Sequence, residues 1–168
     1  MRARKTLLSS VVISAAAVLL SPVTALAASH TDSVGGIEVF ATSTTGVFTG
    51  TAGGSLPGVW SATVNHTRLG TSATITGGSF DVVSALGGLP AVVAGSFNGG
   101  SVVQTGGFNG CVNQTFNVNG SLVSVGVVGR PDTGTGSFAT VLTHLRFPFF
   151  GRCITYGATI KGTVSLNF

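Results

Sequence analysis

Two His-x-Arg triplets, His66-Thr67-Arg68 and His144-Leu145-Arg146, are the residues of this chain best equipped for chemistry. Each His stands six residues after an aromatic residue, Trp60 in one case and Phe138 in the other. An imidazole can donate or accept a hydrogen bond near neutral pH. A guanidinium is a permanent forked donor suited to carboxylates and phosphates. Side chains alternate between the two faces of a strand, so Trp60, Ala62, Val64, His66 and Arg68 would share a face. Phe138, Thr140, Leu142, His144 and Arg146 would share another. Cations that end an apolar row over an aromatic floor suit an anionic or polar-headed small molecule. The expected ligand-binding set is therefore His66, Arg68, His144, Arg146, Trp60 and Phe138. The two triplets meet only if their strands run in the same direction, which the sequence leaves open. Otherwise they are two separate solvent-facing pairs. An Ala-Thr-Ile-x-Gly segment follows each triplet, at 73–77 and at 158–162, and the second copy is preceded by an inserted Phe147-Pro148-Phe149-Phe150. That pattern reads as a candidate internal duplication.

Catalytic constellations are hard to find. The acids are Asp32, Glu38, Asp81 and Asp132, and no spacing sets one to orient a His or two to flank a bond. Acidic calcium loops and a phosphate-binding Gly-rich loop are not readable. We therefore expect no enzyme, no metal and no cofactor.

The elements that must position the triplets are strands. Val, Thr, Ser, Gly and Phe dominate after Ala28, and Glu, Lys and Gln are scarce, which is a strand-and-turn composition. Twelve strand candidates fall at about 37–43, 46–51, 58–68, 71–76, 79–85, 90–97, 101–105, 111–118, 121–128, 136–146, 152–160 and 162–168. Gly53-Gly54, Gly77-Gly78, Gly87-Gly88, Asn98-Gly99-Gly100, Asn119-Gly120 and Pro131-Asp132 read as turns. Asn119-Gly120 is the sharpest of these, a type I′ hairpin that would pair Phe116 with Val123 and Gln114 with Val125. The fold expected is all-β, a single antiparallel β-barrel of about 8–10 strands, with a β-sandwich as the alternative. Closure is favoured because few Lys, Glu or Pro are available to blunt exposed edges. Gly-Ser-Phe recurs at 78–80, 95–97 and 136–138 and reads as a strand opening, with Gly in a turn and Phe in the core; the competing reading is a glycan-binding aromatic repeat. Asn65, Asn113 and Asn119 stand in Asn-x-Ser/Thr sequons that an Asn- and Thr-rich chain produces by chance.

Cys111 and Cys153 are the two cysteines, and a disulfide is the expected state in an exported chain. Parity places both on the more polar faces of their strands. Export itself is read from residues 1–28. Arg2, Arg4 and Lys5 precede an apolar run from Leu7 to Leu20, then Ser21-Pro22 and Ala25-Leu26-Ala27. That order is a Sec-type signal peptide, cleaved near Ala27-Ala28 and leaving a secreted domain over 29–168. Only 7% of the 168 residues are charged, far below an ordinary soluble domain. Without the leader, five cations face four acids, a net charge of +1. Five scattered cations make no nucleic-acid face, so no nucleic-acid partner is expected.

In size and strand content the chain is similar to eight-stranded ligand-binding barrels of the lipocalin or avidin kind. The lipocalin Gly-x-Trp opening does not carry over: Gly58-Val59-Trp60 has the letters but lies mid-chain. The function expected is a secreted, bacterial-type binding module for a small molecule or a cell-envelope component. The alternatives are an outer-membrane barrel, suggested by the alternating Val164, Leu166 and terminal Phe168, and a self-associating surface protein. A membrane partner is expected only on the outer-membrane alternative.

Overall fold

The computed structural model describes residues 28–131 and 133–168. The leader expected over 1–28 lies, apart from Ala28, outside the described residues. Eight strands follow in order: β1 (Ser29–Ala41), β2 (Thr45–Gly54), β3 (Gly58–His66), β4 (Ser72–Leu86), β5 (Leu89–Gly106), β6 (Gln114–Val127), β7 (Gly134–Phe149) and β8 (Arg152–Asn167). Each pairs antiparallel with the next, and β8 returns to β1, so the sheet is one closed barrel. The described residues contain no helix. The all-β barrel is thus the architecture found, and the sandwich is not.

Eight strands replace twelve because four of the expected breaks lie inside strands. Gly77-Gly78 belongs to β4, Asn98-Gly99-Gly100 to β5, Asn119-Gly120 to β6, and the 160–162 gap to β8. The hairpin expected at Asn119-Gly120 does not exist. Asn119 pairs with Ser101 on one side and Ala139 on the other, and Gly120 with Gly100 and Phe138. Glycine is needed there for space rather than for turning. A Cβ on Gly120 would sit 2.6 Å from Phe138 Cζ. The same holds at Gly95, whose Cβ would come within 2.6 Å of Phe80 Cε1. An aromatic ring lying over a glycine of the paired strand is how a tightly coiled sheet fills a narrow interior. Register shifts beside Asn65, Phe97 and Leu145 bend the long strands around the barrel. Gly87-Gly88 does form the two-residue hairpin, both residues with positive φ (60° and 83°). β1 also begins well before residue 37, because Ser29 to Ile37 pairs with β8 from Asn167 back to Thr159. That closing contact spans the whole domain and has no local signature.

The interior is apolar. Phe48, Ile75, Val82, Val93, Val102, Phe116, Leu122, Phe138, Leu142 and Leu166 are buried in one cluster. Outward positions are mostly Thr, Ser and Asn, among them Thr49, Thr51, Thr74, Ser101, Asn117, Asn119, Ser137 and Thr163, all exposed, with single valines between them.

The two ends differ. At the end where β1 starts, the β2–β3 connection folds under the barrel and buries Leu56, 1% exposed. Its backbone N–H donates to Asp32 Oδ1 at 2.7 Å, and Ser84 Oγ donates to the Pro57 carbonyl at 2.9 Å. Ala28 and Phe168 exchange backbone hydrogen bonds of 2.9 and 3.2 Å across the same end. The other end carries the connections β1–β2, β3–β4, β5–β6 and β7–β8. There the Cys111–Cys153 disulfide, with Cα atoms 5.4 Å apart, ties the β5–β6 connection to the start of β8. The bond forms as expected, but Cys111 lies in a connection and not on a strand face.

Candidate functional site

An interior cavity of about 940 Å³ runs along the barrel axis. Its wall is aromatic and aliphatic, with Phe48, Trp60, Phe80, Phe97, Phe116 and Phe138 contributing rings. Lining residues at the Leu56 end are buried, Asp32 and Leu166 among them. Lining residues at the opposite end include the exposed Phe40, Arg68, Phe108 and Tyr156. The cavity therefore has a floor at Leu56 and a mouth at the far end.

The direction question left open by the sequence is resolved by topology. β3 and β7 are four strands apart in an up-and-down barrel, so they run the same way and both end at the mouth. His66, the last residue of β3, and His144, near the end of β7, both line the cavity. Trp60 and Phe138 lie deeper on the same strands and also line it. Arg68 lines it from the β3–β4 connection. Five of the six expected residues are thus brought to one cavity. Arg146 is not among the lining residues. The pairing slips there, with Leu145 opposite Gly157 but Arg146 opposite Thr155, leaving Tyr156 as the extra residue. The Arg146 backbone N–H is instead bound by Asn113 Oδ1 at 2.9 Å. Its charge still reaches the site, where it helps to lower the His144 pKa.

Three further polar groups at the mouth, Glu38, Gln104 and Gln114, were not in the expected set. Gln114 was legible, because it shares strand parity with Phe116 and Val118. Glu38 and Gln104 were not, since the register of β1 and β5 is set by bulges that local patterning does not reveal. Asp81 accepts a hydrogen bond of 2.7 Å from Ser61 Oγ and does not line the cavity.

The electrostatics follow from this placement. His144 packs on Phe116 with ring centroids 5.2 Å apart. Burial lowers its pKa below the ordinary value of 6.5, and the nearby charges of Arg146 and His66 lower it further. Neutral imidazole is the favoured form. Burial also raises the Glu38 pKa, against an opposing pull from His66. His66 Nδ1 lies 2.7 Å from the Thr67 carbonyl and donates to it, which leaves Nε2 as the acceptor of the neutral ring. Trp60 Nε1 donates to the Thr51 carbonyl at 3.0 Å, fixing the indole against the wall. Gln104 Nε2 donates to the Gly106 carbonyl at 3.0 Å. Phe97 stands edge-on to both Phe80 (6.1 Å) and Phe138 (5.3 Å). The three Gly-Ser-Phe motifs therefore supply three of the rings of the cavity wall, with Phe inward as expected, although their glycines lie within strands and not in turns.

The arrangement can hold an apolar body between rings and engage a polar end at the mouth. Among the described residues, no group of three or more His, Cys, Asp or Glu could hold a metal ion. No family model, no curated protein and no solved structure matches this chain.

Proposed function

We propose that this protein is an exported, non-enzymatic binding module that takes a small amphiphile into its barrel. The observation that carries the reading is the cavity: about 940 Å³, apolar along most of its length, with most of its polar side chains at the open end and Asp32 at the floor already committed to the Leu56 amide. That volume is in the range of small-molecule sites, which are mostly apolar with a few oriented polar groups. The apolar part of the ligand lies among Trp60, Phe97, Phe116 and Phe138. Its polar or anionic head meets His66, Arg68, Gln104, Gln114 and His144. The disulfide supports an oxidising compartment and so an exported protein. Apolar residues inside and Thr, Ser and Asn outside are the reverse of the pattern of a membrane-spanning barrel, which favours the binding reading over the outer-membrane one.

Trp60 is the single tryptophan of the chain and lines the cavity, so it reports occupancy directly. Anilinonaphthalene sulfonate, an apolar anion, is the probe. Energy transfer from Trp60 to the probe should saturate at one probe per chain. Ala62, buried in the wall, is the place to block the cavity: Ala62→Phe should abolish saturable binding while the circular dichroism of the barrel is kept. Undiminished binding in that variant would place the probe elsewhere and remove the proposal.

A further inference from the structure

The mouth of the barrel carries an aromatic ridge of which Tyr156 alone borders the cavity. At the tip of the β7–β8 hairpin the rings of Tyr156, Phe147, Phe149 and Phe150 touch in series, with centroids 5.5, 5.9 and 4.5 Å apart. All four are exposed, Phe150 at 91%. Phe150 also has a positive φ of 47°, a backbone state that favours Gly or Asn. A bulky apolar residue is thus kept at a position that suits it poorly and where it contacts almost nothing but its neighbour. Beside the ridge, the disulfide holds the β5–β6 connection with Phe108, 62% exposed. Contiguous apolar rings at one end of a soluble barrel mark an interaction surface.

The charge around the ridge selects its occupant. Arg68, Arg146 and Arg152 all belong to the mouth end, whereas Glu38 is the one described acid there. Asp32 lies at the floor and Asp81 on the wall. Exposed Phe and Tyr side chains flanked by guanidinium groups match the boundary between acyl chains and anionic headgroups, where rings insert and cations meet phosphate.

We infer that the β7–β8 ridge docks the mouth of the barrel onto an anionic lipid bilayer surface, without spanning it. The surface is apolar enough to enter the headgroup region and faces the same way as the cavity opening. This inference rests on the exposed ridge and its arginines and does not need the cavity to hold a ligand.

Every strand and the closing Ala28–Phe168 hydrogen bonds lie within residues 28–168, so the oxidised 28–168 chain is the unit to test. Co-sedimentation with vesicles of phosphatidylcholine alone and of equal parts phosphatidylcholine and phosphatidylglycerol is the measurement. Binding is expected to the anionic vesicles and to be much weaker on the neutral ones. Phe149→Ser with Phe150→Ser should lower the anionic partition coefficient about tenfold or more. Phe150→Gly removes one ring and relieves the backbone, so it should weaken binding with no loss of thermal stability. Arg152→Gln should weaken binding to anionic vesicles and leave the neutral ones unchanged. No binding to anionic vesicles, or binding insensitive to the phenylalanine changes, overturns the inference. So does a dimer in sedimentation equilibrium that the double change dissolves, because the ridge would then cover a second copy. Probe uptake at Trp60 should survive the double change, so failure on vesicles and failure of the cavity reading are separable.

Discussion

The floor and the mouth of the barrel are built from the same strands and spend their polar groups differently. At the floor, polar atoms are answered from within the chain: Asp32 holds the Leu56 amide, and Ser84 holds the Pro57 carbonyl. Leu56 seals what lies above. At the mouth, Glu38, His66, Gln114 and His144 line an accessible cavity, and burial shifts the two of them whose titration moves in the direction of the uncharged form. A closed, satisfied end supports stability, and an open end with polar groups lining the cavity supports binding. The disulfide is the exception: it lies at the mouth, where it ties the β5–β6 connection to β8.

The largest test of this contrast is therefore reduction of that disulfide. Cys111 and Cys153 are 42 residues apart, and on the chain-entropy model opening such a loop costs about 4 kcal/mol. Urea unfolding with and without reductant should show a loss of that order. An unchanged midpoint would mean that the floor alone holds the barrel closed.

Next comes Leu56→Ala, which empties the floor. Truncating a buried Leu typically costs about 3 kcal/mol, and here it also opens a second end to the cavity. Thermal unfolding should fall accordingly, and the off-rate of a bound probe should rise. Asp32→Ala should cost less, about 2 kcal/mol, because it leaves one buried amide without its acceptor. Neither floor change should alter which probes bind. If Asp32→Ala changed ligand preference, the division between the two ends would be wrong.

The smallest effects are electrostatic and confined to the mouth. His144 should titrate below 6.5 by NMR, and Arg146→Ala should move its midpoint upward by removing one of the charges that depress it. A midpoint indifferent to Arg146 would separate that side chain from the site. The linked stability has a definite sign. Because the folded pKa of His144 is lowered, its contribution is present above 6.5 and is lost as pH falls toward the folded value. Glu38 works the other way: its folded pKa is raised, so its contribution is full below 4.5 and is lost as pH rises through the folded value. His66→Ala should raise the Glu38 midpoint further, since the charge of His66 is what opposes the shift.

Parity along β3 and β7 was enough to align Trp60 with His66 and Phe138 with His144, because two residues per repeat is a property of any extended strand. The disulfide was legible from there being only two cysteines. Arg146, expected beside His144, is not among the lining residues, and the β7–β8 pairing slips there around Tyr156 of β8, a bulge that is invisible from the sequence of β7. The four spurious breaks share one ambiguity: a glycine that turns a chain and a glycine that lets a neighbouring strand approach look the same in sequence. At Gly120 the neighbour includes the ring of Phe138, whereas at Gly78, Gly100 and Gly162 it is the backbone of the paired strand.

By itself, then, the sequence determined that the domain is all strand, that its two cysteines pair and that each triplet ends an apolar row. These depend on residue type and on periodicities of a few residues. Closure of β8 on β1, the common direction of β3 and β7, the folding of Leu56 under the barrel and the gathering of Glu38, Gln104 and Gln114 at one mouth were decided by tertiary structure. Each joins residues far apart in the chain, and the strand count that fixes their direction is a property of the whole sheet rather than of any segment.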